Sequence, residues 1–140
     1  MKTYEDSRIS FSYPKDFKLV RAKKKWGQYN LEKKLEKKKT ILFVMQFVED
    51  EETLADIKKD IQDFFSNDHD NMEYLGEISF GNNKGTGHVV IMNDFENNFV
   101  QKRYRYLFPI SEGGLYVEVI GEKEFSIDEY KEILKSIKVK

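Results

Sequence analysis

Between Met72 and Ile120 one pattern recurs: an alternating apolar and polar run, a short polar turn, then another run. Met72, Tyr74, Ile78 and Phe80 alternate with Glu73, Glu77 and Ser79. Gly81-Asn-Asn-Lys-Gly85 follows, and its Gly and Asn residues tolerate the positive φ of tight turns. Thr86–Met92, Phe99–Ile110 and Leu115–Ile120 read as three further strands, with turns at 93–98 and 111–114. Parallel strands need long crossovers, so these connections dictate an antiparallel meander.

The flanking segments build on that frame. Ile9, Phe11 and Tyr13 alternate with Arg8, Ser10 and Ser12, a half-buried strand that Pro14 stops. Lys18–Ala22 reads as a short strand, and Tyr29–Leu35 as another that ends in a turn at Lys37–Lys39. Thr40–Val48 is β-branched and aromatic, as expected of a central strand covered on both faces. Leu54, Ile57, Ile61, Phe64 and Phe65 recur at helical spacing after Thr53, which with Asp56 resembles an N-cap box. Ser66–Asn71 should end that helix. Ser126 and Glu129 form a second capping box, with Phe125 and Tyr130 as its staple. Ile127, Tyr130, Ile133, Leu134 and Ile137 make the stripe of a closing helix, and Lys135, Lys138 and Lys140 suit its C-terminal end.

The expectation is a single α+β domain over residues 1–140: a curved antiparallel sheet flanked by two amphipathic helices. An aromatic content of 14% supports a strand-rich core. The absence of cysteine excludes disulfides, thiolate metal sites and thiol nucleophiles. The longest apolar stretch, Ile41–Val48, is too short to span a bilayer. The sequence as written has no signal-like start, so a cytoplasmic location is expected. The envelope becomes the expectation if a native signal or lipid anchor is missing from it.

Two segments, Ile9-Ser-Phe-Ser-Tyr-Pro-Lys-Asp-Phe17 and Phe125…Tyr130…Ile133-Leu-Lys-Ser-Ile137, together with the helix at Thr53–Phe65, resemble the PsbP/DcrB-like group of small α/β/α sandwich domains. That resemblance implies a bacterial-type accessory module. Members of the group are mostly non-enzymatic: photosystem accessory subunits, lipoproteins, a nuclear-transport GTPase cofactor and chaperones for secreted effectors.

Catalytic motifs are wanting. In Gly81-Asn-Asn-Lys-Gly-Thr-Gly87 the lysine precedes the last glycines and a strand follows, so neither a phosphate loop nor a dinucleotide fingerprint is completed. Asp68-His69-Asp70 fails the EF-hand pattern at three positions. His69 and His88 could pair only through the fold. Ser79 sits in no nucleophile elbow. No catalytic residue, metal site or cofactor is therefore expected.

The net charge of −1 hides an uneven distribution. Residues 18–40 hold ten Lys/Arg and two Glu, whereas residues 49–73 hold ten Asp/Glu and two Lys. These blocks read either as solvated faces or as a basic patch for an acidic partner. The candidate partner-binding residues are Lys23, Lys24, Lys25, Trp26, Tyr29, Lys33 and Lys34, with Arg103 and Arg105 of the Lys102-Arg-Tyr-Arg-Tyr106 run. Trp26 reads as an exposed anchor or as a plug for one end of the core. Arg103 and Arg105 read as a solvated face or as an anion groove. The expected function is non-enzymatic protein binding, with a homodimer among the options. No membrane span and no nucleic-acid partner are expected. The alternatives are a small hydrolase or metal-dependent enzyme whose residues converge only in the fold, and single-stranded nucleic-acid binding through residues 23–39.

Overall fold

The computed structural model describes residues 1–36, 39–62, 72–94 and 99–140. The chain forms β1 (Lys2–Glu5), β2 (Ile9–Tyr13), β3 (Lys18–Lys23), β4 (Gln28–Lys34), β5 (Thr40–Val48), α1 (Glu51–Gln62), β6 (Met72–Phe80), β7 (Asn83–Asp94), β8 (Phe99–Pro109), β9 (Gly114–Glu122), α2 (Lys131–Ser136) and β10 (Lys138–Val139). Short 3-10 turns cover Lys24–Trp26 and Ile127–Tyr130.

This is an α+β fold, mostly antiparallel sheet with two short helices. The expected meander is present, since β6, β7, β8 and β9 pair in sequence order. They continue into β5, β4 and β3, giving a large sheet of order β3-β4-β5-β9-β8-β7-β6. There is a second sheet, however, of order β1-β2-β10. It comes from two strands that carry no usable periodicity, Lys2–Glu5 and Lys138–Val139. Lys138 and Lys140 were expected at a helix end, but Lys138 pairs with Ser10 in a strand instead.

The large sheet buries one face deeply. Ile41, Phe43, Met45 and Phe47 of β5 point there, with Tyr29 and Leu31 of β4, Tyr104, Tyr106 and Phe108 of β8, and Leu115, Val117 and Val119 of β9. The small sheet supplies Ile9, Phe11 and Tyr13, and the C-terminal segment supplies Phe125, Ile127, Tyr130, Ile133, Leu134 and Ile137. Edge-to-face rings knit these layers together, as in Phe17 against Phe43 and Tyr130, both at 5.6 Å between centroids. Phe125 lies 5.7 Å from Tyr130, the expected staple.

The opposite face is covered only in part, so the expectation of full cover on both sides of β5 fails. Leu42, Val44 and Gln46 remain half-buried. On this face α1 buries Ile61, while Leu54 and Ile57 stay half-buried.

The caps also differ from expectation. Asp50, not Thr53, opens α1: its Oδ2 accepts from the Thr53 N–H at 2.9 Å and from Thr53 Oγ1 at 2.6 Å. These bonds hold the Asp50 carboxyl below its usual pKa. Ser126 Oγ accepts from the Asp128 N–H at 3.3 Å, and the first turn it caps is 3-10, not α. Gly85 lies within β7, not in the turn, and Gly87 follows it in the same strand, as expected. A Cβ on Gly85 would collide with the Leu107 carbonyl, and one on Gly87 would approach the Tyr106 ring. Phe64, Phe65, the loop at 66–71, His69, Lys37 and Lys38 lie outside the described residues.

Candidate functional site

The basic and aromatic residues singled out in the sequence do not form one patch. Lys23, Lys24, Lys25 and Trp26 cluster on the turn between β3 and β4, and all four are exposed. Trp26 is 63% exposed, so it does not plug the core. Its ring lies in water because Gly27 ends the turn in the left-handed region, at φ 61°, and sends β4 back into the sheet. A side chain at Gly27 would come within 2.8 Å of Phe47 Cβ.

The backbone of this turn is pinned at three of its carbonyls. Arg8 Nη1 donates to the Lys24 carbonyl at 3.0 Å, and Gln46 Nε2 to that of Trp26 at 3.0 Å. The Phe47 N–H donates to the carbonyl of Gly27 at 2.9 Å. Arg8 is itself oriented by Glu49 at 2.8 Å and stacks 4.3 Å above the Phe47 ring. Lys23, Lys24 and Lys25 make no ion pair among the described residues. The turn thus presents an indole and three free ammonium groups on a rigid support. Gly27 was a legible turn signal. Arg8 and Gln46 were not, because their roles depend on pairings far along the chain.

Tyr29 is not part of this surface, correcting the expectation. It is fully buried, and its hydroxyl donates to Asp6 Oδ2 at 2.7 Å, an oxygen shared with Tyr4 at 2.8 Å. Burial and the Asp6 carboxylate push the Tyr29 phenol far upward in pKa. Asp6 moves the other way: the hydrogen bonds it accepts from Tyr29, Tyr4 and the N–H groups of Arg8 and Ile9 outweigh its desolvation and lower its pKa.

Lys33 and Lys34 lie at the far end of β4, about 20 Å from the turn at the usual rise per strand residue. Lys33 pairs with Asp16 at 3.1 Å and sits 5.4 Å from the Tyr130 ring, so it closes the core rim. Lys34 is exposed beside Lys18, Val20 and Glu32.

Arg103 and Arg105 project from the less covered face but are not free. Arg103 Nη1 meets Glu118 Oε1 at 2.9 Å, and its Nη2 reaches Gln101 Oε1 at 2.8 Å. Arg105 Nε donates to the Tyr116 hydroxyl at 2.6 Å, and that hydroxyl donates to Glu118 Oε2 at 2.9 Å. Arg105 Nη1 reaches His88 Nε2 at 3.4 Å. Arginine only donates, so His88 Nε2 accepts and the ring proton sits on Nδ1. Nδ1 is buried and has no hydrogen-bond partner among the described residues. Burial, reinforced by the Arg105 charge, holds the His88 pKa at about 4. Burial raises Tyr116 to about 12. This is a hydrogen-bonded network across three strands, not an open anion groove. Among the described residues no group of three or more His, Asp or Glu side chains is placed to hold a metal.

The geometry therefore defines an open antiparallel α+β fold that carries an exposed, immobilised basic–aromatic turn. No family model matches the sequence, and no curated protein matches it. Solved structures share the fold, two of them as follows. One is a protein from Bacteroides thetaiotaomicron VPI-5482, with TM-score 0.62 and 9% identity over 94% of this chain. This chain spans 45% of that protein's length. The other is LpqN, involved in cell envelope biogenesis of Mycobacterium tuberculosis, with TM-score 0.59 and 10% identity over 94% of this chain and 82% of LpqN. At such identities the likeness is one of fold. Among the described residues no helix is long and apolar enough to cross a membrane.

Proposed function

We propose that this chain is a non-catalytic accessory domain of the PsbP/DcrB-like kind that docks an acidic partner protein through Trp26 and Lys23–Lys25. The observation that carries the reading is the 63% exposure of a tryptophan on a turn whose Lys24, Trp26 and Gly27 carbonyls are bonded to the body of the fold. Burying such a ring against a partner removes a large apolar surface from water, and tryptophan is enriched where binding energy concentrates. A turn already held in place loses little further freedom on docking. The three unpaired lysines steer a carboxylate-rich surface toward the ring and set its register. The likeness to LpqN is compatible with an accessory role.

Trp26 is the only tryptophan, so its fluorescence reports on this site alone. Wild-type protein, Trp26→Ala and the triple variant Lys23→Glu/Lys24→Glu/Lys25→Glu should be used to capture partners from extracts of the native host. Recovery of the partner should fall at least tenfold in both variants, and the captured partner should shift wild-type emission to the blue. Equal recovery by all three proteins, or unchanged emission, refutes this reading.

A further inference from the structure

A cleft of about 440 Å³ opens where the β6–β7 turn, the β8–β9 hairpin and β10 meet. That volume falls in the range of ligand-binding clefts. Phe108, Leu115 and Ile137 form its buried floor, and Lys84, Lys135 and Lys138 stand exposed among its lining residues. Among the described residues no acidic side chain lines it. Lys135 shares its charge with Glu132 at 3.3 Å, whereas Lys84 and Lys138 have no carboxylate partner among the described residues.

Two backbone features add to that charge. The carbonyls of Leu134 and Ile137 at the end of α2 would oppose an anion, but Asn83 Nδ2 donates to both at 3.0 Å and so satisfies them. β10 is the edge of the small sheet, with β2 on one side only. The Lys140 N–H donates to the Arg8 carbonyl at 2.9 Å, and Lys138 is in register with Ser10. Antiparallel alternation then turns the N–H and C=O of Val139 away from β2, on the side of the cleft that Val139 lines.

We propose that the free edge of β10 binds an extended acidic peptide, which adds one strand to the small sheet and sets its carboxylates on Lys84 and Lys138. Main-chain pairing to Val139 supplies the docking, and the cleft floor receives an apolar side chain alternating with the acidic ones. A short edge strand bearing lysine also deters sheet-to-sheet association. That role alone predicts no affinity for an acidic strand, so the two readings separate by experiment. This site lies apart from Trp26 and does not rest on the docking role proposed for it.

The probe is a fluorescein-labelled peptide, Glu-Val-Glu-Val-Glu-Val, followed by anisotropy, with backbone amide shifts mapped by nuclear magnetic resonance. Saturable binding is expected, with the largest shifts at residues 138–140. Lys84→Glu/Lys138→Glu should weaken it at least tenfold while keeping the wild-type circular dichroism spectrum. A peptide N-methylated on its valines should lose affinity, because its strand cannot pair, and Trp26→Ala should bind like wild type. Absence of saturable binding, equal affinity for the double lysine variant, or full affinity for the N-methylated peptide would overturn the proposal. Loss of binding in Trp26→Ala with retention in Lys84→Glu/Lys138→Glu would move the peptide to the other surface and overturn it as well.

Discussion

Lys23-Lys-Lys-Trp-Gly-Gln-Tyr29 and Lys102-Arg-Tyr-Arg-Tyr106 are nearly the same text, cations interleaved with aromatics, yet they meet opposite fates. In the second, strand alternation sends Tyr104 and Tyr106 into the core and turns Arg103 and Arg105 onto the other face, where Glu118, Tyr116 and His88 of neighbouring strands engage them. In the first, Gly27 breaks the alternation. Tyr29 falls into the core, while the Trp26 ring and its lysines are left in solvent, the lysines without an ion pair among the described residues. Composition did not decide between a solvated patch and an engaged network. The strand lying alongside did, together with one residue able to adopt a positive φ.

The sharpest way to break this contrast lies within the first segment. Tyr29→Ala should cost about 4 kcal/mol, since it empties a buried ring site and strips a donor from Asp6. Trp26→Ala should change stability by less than about 0.5 kcal/mol, as expected for an exposed side chain. Thermal unfolding should therefore show a large drop in midpoint for one and almost none for the other. Similar drops would mean that Trp26 is packed.

Acid titration probes the second segment. His88 has a folded pKa of about 4, below its unfolded value of about 6.5. The unfolded chain therefore binds the proton more readily. The stability that depends on neutral His88 is complete above pH 6.5 and drains away as pH falls toward 4, by on the order of 3 kcal/mol. Denaturant melts across that window should show the slope, and His88→Gln should flatten it. The lowered carboxyls of Asp6, Asp50 and Asp128 act at more acid pH.

Smaller effects separate the two sets of cations. Arg105→Met should cost about 2 kcal/mol, because the buried Tyr116 hydroxyl and His88 Nε2 lose their donor. Lys23→Glu/Lys24→Glu/Lys25→Glu should alter stability by no more than about 0.5 kcal/mol. Urea midpoints measured side by side would test both, and a triple lysine variant as unstable as Arg105→Met would erase the distinction.

Much of the large sheet was legible because its signals are local: the β6–β9 meander carries period-two alternation and β5 is a β-branched, aromatic run, while β2 of the small sheet alternates in the same way. What escaped depends on remote partners. Lys2–Glu5 has no apolar face of its own and becomes a strand only because β2 offers an edge. The capping of α1 was misassigned by three residues because Thr53 and Asp50 are both good caps, and only the coordinates show which one accepts. Of the candidate site, the basic–aromatic turn was readable from Lys23–Gly27. The engagement of Arg103 and Arg105 was not, since Glu118 and Tyr116 sit on a strand whose register no local pattern states.

The small sheet joins Ile9 to Val139, residues about 130 positions apart along the chain. As the polypeptide emerges from the ribosome, β2 must wait with one flank bare until Lys138 and Val139 have been made. Ring closure over such a span is entropically costly before the intervening strands have condensed. That flank is closed by a strand of only two residues, and a nascent chain halted before Lys138 would keep β2 open to whatever extended segment reached it first.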